Sequence, residues 1–273
     1  YKVLTPLKVL LLSIFSVPFY FLASLLAKKI IVLETDLKKQ LVAFAYIDSS
    51  KIEYIPHGID TRMKTFTRRE ARAQLDIDQS TYVIGYFGFI VPYKGPHRLL
   101  QLFLDSEKKL NDTNVYFLGG KSAHDQSAEY KSYYNNFYEK ASSSKKILLT
   151  GFINENDLSS YICSCDVLIF PHTAVISSSG ALSMAFTFEK PVLLSNELRG
   201  YAQSPDFANA LKKSGLTQGD VFLDINDPES FIEHVSLVKK HREKYIYFSK
   251  DMKSRRNWES IANHYVHLMN PSL

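Results

Sequence analysis

Cysteine is scarce in this sequence: Cys163 and Cys165 are the only two among 273 residues. They stand two residues apart on a predicted helix, point to different faces, and are poorly placed to form a disulfide with each other. No second Cys/His pair completes a metal site. We interpret both as small buried residues in a reducing compartment, which excludes a disulfide scaffold and a zinc module.

A strong charge of one sign is also missing. The formal net charge is +5, and the Lys and Arg residues are scattered along the chain. Such a mildly basic surface is typical of a solvated protein, or of one with a slight preference for anions such as nucleotides or lipid head groups. No RNA-binding or DNA-binding signature occurs, so we expect no nucleic-acid partner. The 45% content of hydrophobic residues predicts a folded core.

One long stretch, residues 9–27, contains no Lys, Arg, Asp or Glu. It is long enough to span a bilayer, although Pro18 disfavours a straight span and a strand predicted at 30–33 leaves almost no linker. Three interpretations stay open: a transmembrane anchor, a helix lying in the membrane interface, or a buried helix of a larger domain. A signal peptide is not favoured, because no small-residue cleavage site precedes the strand.

Short apolar runs alternate with amphipathic stretches along the rest of the chain. This alternation predicts an α/β fold built on a mostly parallel, doubly wound sheet. Residues 68–75 are predicted to form a charged, exposed helix, and Asn156 is predicted to cap another. The predicted strands are 30–33, 52–55, 82–87, 115–118, 147–150, 167–170, 192–194 and 221–223. The predicted helices are 36–44, 68–75, 97–110, 128–141, 156–165, one beginning at Gly180, 228–245 and 254–269.

Glycines follow several of the predicted strands. Gly88, Gly119 and Gly151 each come directly after, or within one residue of, an apolar run, where the backbone can approach a ligand closely. Lys94 stands at the far end of the loop that begins at Gly88. The carboxyl ends of parallel strands share one edge of the sheet, so these features predict a ligand crevice there, with Lys94 as a charge for phosphate.

Residues 167–195 are predicted to form a strand, a loop, a helix and a second strand. The helix begins after Ser177, Ser178 and Ser179, at Gly180. Free backbone N–H groups, small side chains and the positive end of the helix dipole make such a start an anion site. We therefore expect it to hold a phosphate group.

Two common catalytic motifs fail in detail. Gly119, Gly120, Lys121 and Ser122 resemble the end of a P-loop, but the glycine that the motif requires is Val115 here. The Ser179–Gly180 pair lacks the G-x-S-x-G frame of a serine hydrolase, and no His–Asp pair follows in an obvious triad order.

An ordered set of segments resembles family-4 glycosyltransferases of the GT-B fold. The segments are IEYIPHGID, IGYFGFIVPYKG, YFLGG, ILLTGF, DLSSYICSCDVLIFPHT, SSSGALSMAF, EKPVLLS and, at the end, SRRNWESIANHYVHLM. The resemblance implies two facing Rossmann-like domains, a C-terminal one that holds a nucleotide-sugar donor and an N-terminal one that holds the acceptor. We expect residues 1–55, with an apolar helix at 7–27, to be a remnant of the truncated acceptor-side domain. Residues 56–250 would be the complete donor-binding domain, and 251–273 a helix crossing back.

The resemblance also assigns roles to residues. Lys94 matches a lysine that contacts the donor phosphates, and we predict it to be catalytic. Phe89 stands where the family has an arginine, and Ile176 and Met184 stand where it has two glutamates; a branch of the family with PYKG and SG-x-L motifs shares these replacements. The predicted substrate-binding residues are Gly88, Phe89, Gly119, Gly120, Phe152, Ile153, Ser177, Ser178, Ser179, Gly180 and Ala181.

The implied reaction is retaining transfer of a sugar from a nucleotide diphosphate to a hydroxyl of a glycan or a lipid-linked acceptor. The resemblance implies no metal or other cofactor, a cytoplasmic location, and peripheral contact with the inner face of a membrane through residues 9–27. Two alternatives stay open. One is a non-catalytic donor-binding or partner module. The other is a sugar-nucleotide epimerase of the same fold, for which Asp125 and His172 are the acid/base candidates.

Overall fold

The structure, a computed structural model of the chain, describes residues 17–123, 125–176 and 178–270. Two parallel sheets carry the fold, one of two strands and one of six. The strands are β1 (Ile30–Val32), β2 (Ile52–Tyr54), β3 (Tyr82–Phe87), β4 (Thr113–Leu118), β5 (Ile147–Leu149), β6 (Val167–Phe170), β7 (Val192–Ser195) and β8 (Phe222–Leu223). The helices are α1 (17–26), α2 (Thr35–Ala45), α3 (Arg68–Gln74), α4 (Pro96–Ser106), α5 (Ala128–Ala141), α6 (Glu155–Ser164), α7 (Gly180–Thr187), α8 (Pro205–Ser214), α9 (Gln218–Val221), α10 (Pro228–Lys240), α11 (Arg242–Arg256) and α12 (Trp258–Met269).

The strand order of the large sheet is β5-β4-β3-β6-β7-β8, and every neighbouring pair is parallel. The chain first builds outward from β3 through β4 to β5, and then returns to place β6 on the other side of β3. This is the strand order of a dinucleotide-binding fold, and ligands of such sheets bind where the order reverses. The predicted α/β, Rossmann-like architecture is confirmed, and its switch point lies between β3 and β6.

The central strands are buried on both faces, which explains their continuous apolar sequence. All four residues of β6 and all four of β7 are buried, as are the middle residues of β3. A parallel strand covered by helices on both sides needs apolar residues at every position rather than at alternate ones. The sequence prediction placed β3, β6 and α5 at their observed bounds.

The prediction of an exposed helix at 68–75 is wrong in one respect, because Arg72 of α3 is fully buried. Its guanidinium donates to Asp166 Oδ2 at 2.6 Å and to the backbone oxygen of Thr81 at 2.6 Å. Arg68 donates to Asp166 Oδ1 at 2.6 Å. The charged residues therefore form a buried network that joins α3 to the start of β6.

Several other helix boundaries differ from the prediction; α4, for example, ends at Ser106 rather than at Leu110. Asn154, not Asn156, precedes α6. The helix predicted at 228–245 is divided at His241, which stands between α10 and α11. The helix predicted from 254 begins at Trp258 instead, because the Asn257 side chain accepts from Ser260 N and caps a new helix there.

Both cysteines are buried and free, as the sequence predicted. The predicted membrane segment at 9–27 lies partly outside the described residues, which include only its last part, in α1. Within the described ranges, none of the helices is long and apolar enough to cross a bilayer.

Candidate functional site

The loop after β3 is fastened to the end of β6, at the switch point. Gly95 has φ +69°, and a Cβ at this position would lie 1.7 Å from the backbone oxygen of Pro171. Thr173 N donates to the backbone oxygen of Tyr93 at 3.0 Å, and Thr173 Oγ1 donates to that of Pro92 at 3.1 Å. Only glycine permits this approach of the two loops, which fixes the position of Lys94, the residue before it.

The glycines at the ends of β3 and β4 pack directly on one another. Gly119 has φ +156°, and a Cβ there would lie 2.1 Å from the backbone oxygen of Gly88. A Cβ on Gly120 would lie 3.0 Å from Phe152 N, and Ile90 N donates to the backbone oxygen of Gly120 at 3.0 Å. The structure therefore brings the loops after β3, β4 and β5 together into one backbone surface without intervening side chains.

Lys94 folds back over this surface. Its Nζ lies 3.0 Å from the place that a Cβ on Gly88 would occupy and 5.7 Å from the centroid of the Phe89 ring. Burial lowers the pKa of Lys94. Within the described part of the chain, Nζ has neither a carboxylate nor a hydrogen-bond acceptor as partner. A half-buried ammonium without a counter-ion is costly, and a bound anion would remove that cost.

His172 lies beneath the same loop. It is 2% exposed, and neither ring nitrogen has a hydrogen-bond partner among the described residues. Burial, together with the nearby charge of Lys94, lowers the pKa of His172 to about 4. The imidazole is therefore neutral near pH 7, and it stacks on Phe170 with ring centroids 6.5 Å apart.

Asp125, the other acid/base candidate for an epimerase, lies in different surroundings. It is exposed, and its Oδ1 accepts from Ser127 N at 3.0 Å. That hydrogen bond lowers the pKa of Asp125. A carboxylate with a lowered pKa on the surface and a buried neutral imidazole do not favour the proton exchange that an epimerase needs.

A cavity of about 620 Å³ opens beside Lys94. It lies between the loop after β3 and the segment that leads from β4 into α5. Phe89 and Tyr93 contribute to one side, and Tyr133 contributes to the other. The volume is in the range of small-molecule sites, about 300–1,000 Å³.

The helix predicted from Gly180 is α7, and the role of its first turn as an anion site stays a prediction. Ser179 is the N-cap residue, and its Oγ accepts from Leu182 N at 3.2 Å. A Cβ added to Gly180 would meet nothing within 4 Å, so the first turn of the helix faces open space. Leu182 N and Ser183 N already donate to Ser179, which leaves the N–H groups of Gly180 and Ala181 for a ligand.

Ser178, Ser179 and Ala181 do not line the cavity beside Lys94. Ser177 lies outside the described residues. Ser178 and Ser179 line a small pocket against His57, on the side of the two-stranded sheet rather than in the cavity beside Lys94. Ala181 is half-buried behind them.

The loop after β5 presents Phe152, which is 79% exposed, whereas Ile153 packs against the core. Ile176 and Met184, which stand at the glutamate positions of the resembling family, are also partly buried against the core. Neither side chain has a polar atom that could hydrogen-bond a hydroxyl group. The predicted roles of all these residues stay predictions.

Sequence reasoning missed Glu34, which stands two residues after the end of β1 and immediately before α2. It lines the pocket of Ser178 together with Tyr201, and its Oε1 is buried without a partner among the described residues. Burial raises the pKa of Glu34 to about 7. Its position between the end of β1 and the start of α2 is the signal in the sequence that could have indicated it.

The chain also contains one Asp-x-Asp sequence, Asp76 to Asp78. It lies in the turn before β3, and Asp78 Oδ1 accepts from Ser80 N at 2.8 Å. The amino end of β3 is the edge of the sheet opposite Lys94, so these carboxylates do not belong to the candidate site.

Curated relatives resemble part of the chain. D-inositol 3-phosphate glycosyltransferase from Mycobacterium sp. (strain KMS) is 35% identical over 96 residues, which are 34% of this chain and 20% of that protein. The homologue from strain JLS is 34% identical over the same length. The matched part of the chain thus spans about a fifth of the length of these relatives.

Solved structures resemble most of the chain. HepE from Anabaena, in complex with UDP, has a TM-score of 0.72 at 14% identity and covers 94% of this chain and 68% of its own. Sucrose-phosphate synthase from Thermosynechococcus elongatus has a TM-score of 0.67 at 16% identity, over 92% of this chain and 61% of its own. The C-terminal domain of LpcC from Francisella tularensis has a TM-score of 0.53 at 16% identity, over 76% of this chain and 98% of its own. At these identities the likeness shows the fold alone.

The family model for glycosyl transferases group 1 matches residues 67–255, which include all six strands of the large sheet. Because this match covers well over half of the chain, the protein belongs to the glycosyl transferases group 1 family.

Proposed function

We propose that the protein is a glycosyltransferase that binds the diphosphate of a nucleotide sugar at the carboxyl edge of the large sheet and transfers the sugar to an acceptor hydroxyl. Membership in the glycosyl transferases group 1 family supports this reaction class. The complex of HepE with UDP and glucose supports a nucleotide-sugar ligand for this fold. The strand order, which reverses next to the Lys94 loop, supports the location.

The observation that carries the proposal is the state of Lys94. Its ammonium group is half-buried over Gly88 and has no counter-ion among the described residues. A diphosphate placed there would supply the missing negative charge. Lys190, which is more deeply buried than Lys94, has a partner, since it donates to the backbone oxygen of Cys163 at 2.9 Å.

The same charge accounts for catalysis. Breaking the bond between the sugar and the diphosphate develops negative charge on the leaving group, and groups fixed in advance stabilise that charge most strongly in the transition state. Lys94 supplies a positive charge, and the first turn of α7 supplies backbone N–H groups. Neutral His172 adds no second positive charge near pH 7.

The finer points of the reaction belong to the same proposal. Retention at the anomeric carbon, an acceptor that is a glycan or a lipid-linked glycan, independence from metal, and membership of family 4 in its PYKG branch follow from the resemblance in sequence. Peripheral membrane contact near α1 is supported by apolar side chains there, since Phe19, Leu22, Leu25 and Leu26 are each at least 60% exposed.

A non-catalytic donor-binding module is the second candidate. The observation that favours it is the apolar character of Ile176 and Met184, which cannot bind the hydroxyl groups of a sugar or ribose. Such a module would still bind a nucleoside diphosphate through Lys94. Only turnover separates the two candidates.

The test is an assay of the purified chain with UDP-, GDP- and ADP-sugars, in which release of the nucleoside diphosphate is followed and the anomer of the product is assigned by NMR. An enzyme releases the nucleoside diphosphate from at least one donor, and Lys94→Ala lowers the rate about 10²-fold or more. Lys121→Ala is the matched control. Lys121 follows β4 in the chain, and its Nζ lies over the Tyr134 ring, 4.7 Å from the ring centroid.

Binding without release of product would favour the module. Equal turnover by the wild-type protein and Lys94→Ala would overturn the proposed role of Lys94.

A further inference from the structure

The cavity beside Lys94 has features that the proposed donor site does not use. Lys94 forms part of its wall on the side of the loop after β3, and the opposite wall comes from the segment that leads into α5 and from α5 itself. Its volume of about 620 Å³ exceeds what a single phosphate group requires. It therefore has room for a second chemical group next to the proposed diphosphate.

Aromatic side chains that are held in place form the wall on the side of α5. Tyr130 Oη accepts from Ser122 N at 2.7 Å and donates to the backbone oxygen of Ile90 at 3.1 Å, which ties the two loops together. Tyr133 Oη lies 3.0 Å from His97 Nδ1, and its ring stacks on that of Tyr130 with centroids 6.5 Å apart and planes 27° apart. A ligand would meet these rings in a fixed arrangement, with little ordering cost.

Phe89 and Tyr93 extend the aromatic surface from the other side. Phe89 is 39% exposed beside Lys94. A large aromatic side chain in contact with water at the mouth of a cavity is suited to contact the apolar face of a ligand ring. Four aromatic residues, two from the loop after β3 and two from α5, thus line one space.

Two carboxylates, Asp125 and Glu129, also line the cavity. Asp125 Oδ1 accepts from Ser127 N, and Glu129 makes no hydrogen bond with the described residues. Ionised carboxylates only accept hydrogen bonds, and they repel phosphate. Their ligand must be rich in donors and must not carry a negative charge of its own.

We propose that this cavity binds a neutral sugar ring, with its apolar face against the aromatic residues and its hydroxyl groups donating to Asp125 and Glu129. The inference rests on the proposed function, since the reaction brings a sugar next to the diphosphate that Lys94 would hold. The ring belongs either to the donor or to the acceptor, and both sources share this chemistry. The experiment below separates them.

The experiment measures binding by calorimetry and by saturation-transfer NMR on the full chain. The probes are UDP, UDP-glucose, uridine, and the methyl glycosides of glucose, galactose, mannose and N-acetylglucosamine, the last four with and without UDP. The variants are Asp125→Asn/Glu129→Gln, which removes both charges at constant shape, and Tyr133→Leu, which removes the aromatic face. Glu139→Gln is the matched control, because Glu139 is exposed on α5 and does not line the cavity.

We expect the double variant and Tyr133→Leu each to weaken sugar binding about tenfold, while their affinity for UDP stays within about twofold of the wild type. The sugar affinity of Glu139→Gln should also stay within about twofold of the wild type. A loss confined to UDP-glucose, relative to UDP, identifies the donor sugar. A loss confined to a methyl glycoside identifies the acceptor. Either result supports the proposal.

Three results would overturn it. The first is that no glycoside binds the wild-type protein and UDP-glucose binds no better than UDP. The second is that sugar binding is unchanged in both variants, and the third is that the variants lose uridine instead, which would make the cavity a base pocket. If the wild-type protein binds UDP in any of these cases, and Lys94→Ala weakens that binding, only this inference fails and the proposed donor site stands.

Discussion

The Nζ atom of Lys94 lies 3.0 Å from the position that a Cβ on Gly88 would occupy. The closeness arises because Gly88 adopts φ +137°, a conformation that residues with a side chain rarely reach. A side chain at position 88 would strain the backbone and shift the ammonium group from this position. These two residues therefore form one unit of the candidate site.

This relationship predicts the effect of Gly88→Ala. The added methyl group strains the backbone and pushes the ammonium group away, so we expect affinity for nucleoside diphosphates to fall about tenfold or more. Calorimetry measures this, with Gly219→Ala as control, because the nearest atom to a Cβ there is Thr217 Oγ1 at an ordinary 3.6 Å. Wild-type affinity in Gly88→Ala would show that Lys94 does not depend on Gly88.

The lowered pKa of Lys94 predicts a pH dependence of binding. Burial favours the neutral amine of Lys94 in the free protein, whereas a bound diphosphate stabilises the ammonium form. At a pH at which the free lysine is partly neutral, binding of the diphosphate must therefore be accompanied by uptake of a proton. Affinity should therefore fall as the pH rises towards about 10, and it should begin to fall below the ordinary pKa of lysine, 10.5. Lys94→Arg, which stays charged, should show a flat profile over the same range, and parallel profiles for both proteins would contradict this explanation.

The buried network at Asp166 predicts a large loss of stability. Asp166 accepts from Arg68, Arg72 and Val83 N at 2.6 to 2.7 Å. Asp166→Asn leaves the Arg72 charge buried without a carboxylate, which costs about 3–5 kcal/mol. Urea unfolding measures this loss. Glu229→Gln removes only a surface pair with Lys109 and should change the free energy of unfolding by less than about 1 kcal/mol; equal effects of the two substitutions would refute the contrast.

Glu34 predicts how stability depends on pH. Burial raises the pKa of Glu34 in the folded protein to about 7, above its ordinary value of 4.5, even though the charge of Arg256 acts in the opposite direction. Between these two values the unfolded chain ionises while the folded protein keeps the proton, so stability falls as the pH rises through this window and then levels off.

Glu34→Gln should remove this part of the pH dependence. The variant should be more stable than the wild type above about pH 7 and equal to it near pH 4.5. Thermal unfolding across this range checks the prediction, with exposed Glu139→Gln as control. A difference between Glu34→Gln and the wild type that does not change with pH would count against it.

The large sheet was predictable because its central strands leave few alternatives. Val167 to Phe170 is apolar at every position, as a strand covered on both faces must be, and Pro171 ends it. Residues 196–214 were assigned no element, yet they form a 3-10 helix, Asn196–Gln203, and α8. In α8 the buried residues Phe207, Ala210, Leu211 and Ser214 recur at the i, i+3, i+4, i+7 spacing of an amphipathic helix, with Pro205 in its first turn, so this helix was predictable from its period and was overlooked.

The candidate site also has features that the sequence predicts and features that it does not. Lys94 and the glycines could be chosen from the sequence, because their position after strands is a local property. The burial of Arg72 could not be predicted, because its partner Asp166 is 94 residues away in the chain. The partner-free state of Lys94 and the raised pKa of Glu34 also depend on contacts that only the folded chain brings together.

The most direct test of the proposed donor site is a calorimetric titration of UDP, GDP and ADP into the wild-type protein and into Lys94→Met, with the unfolding free energy of both proteins measured in the absence of nucleotide. We expect at least one nucleotide to bind the wild type, and Lys94→Met to bind it at least about tenfold more weakly. The free variant should nevertheless be more stable, by about 1 kcal/mol, because it no longer buries an ammonium group without a counter-ion. Equal nucleotide affinity in both proteins, or a variant that loses stability along with binding, would contradict the assignment of Lys94 as the residue that holds the diphosphate.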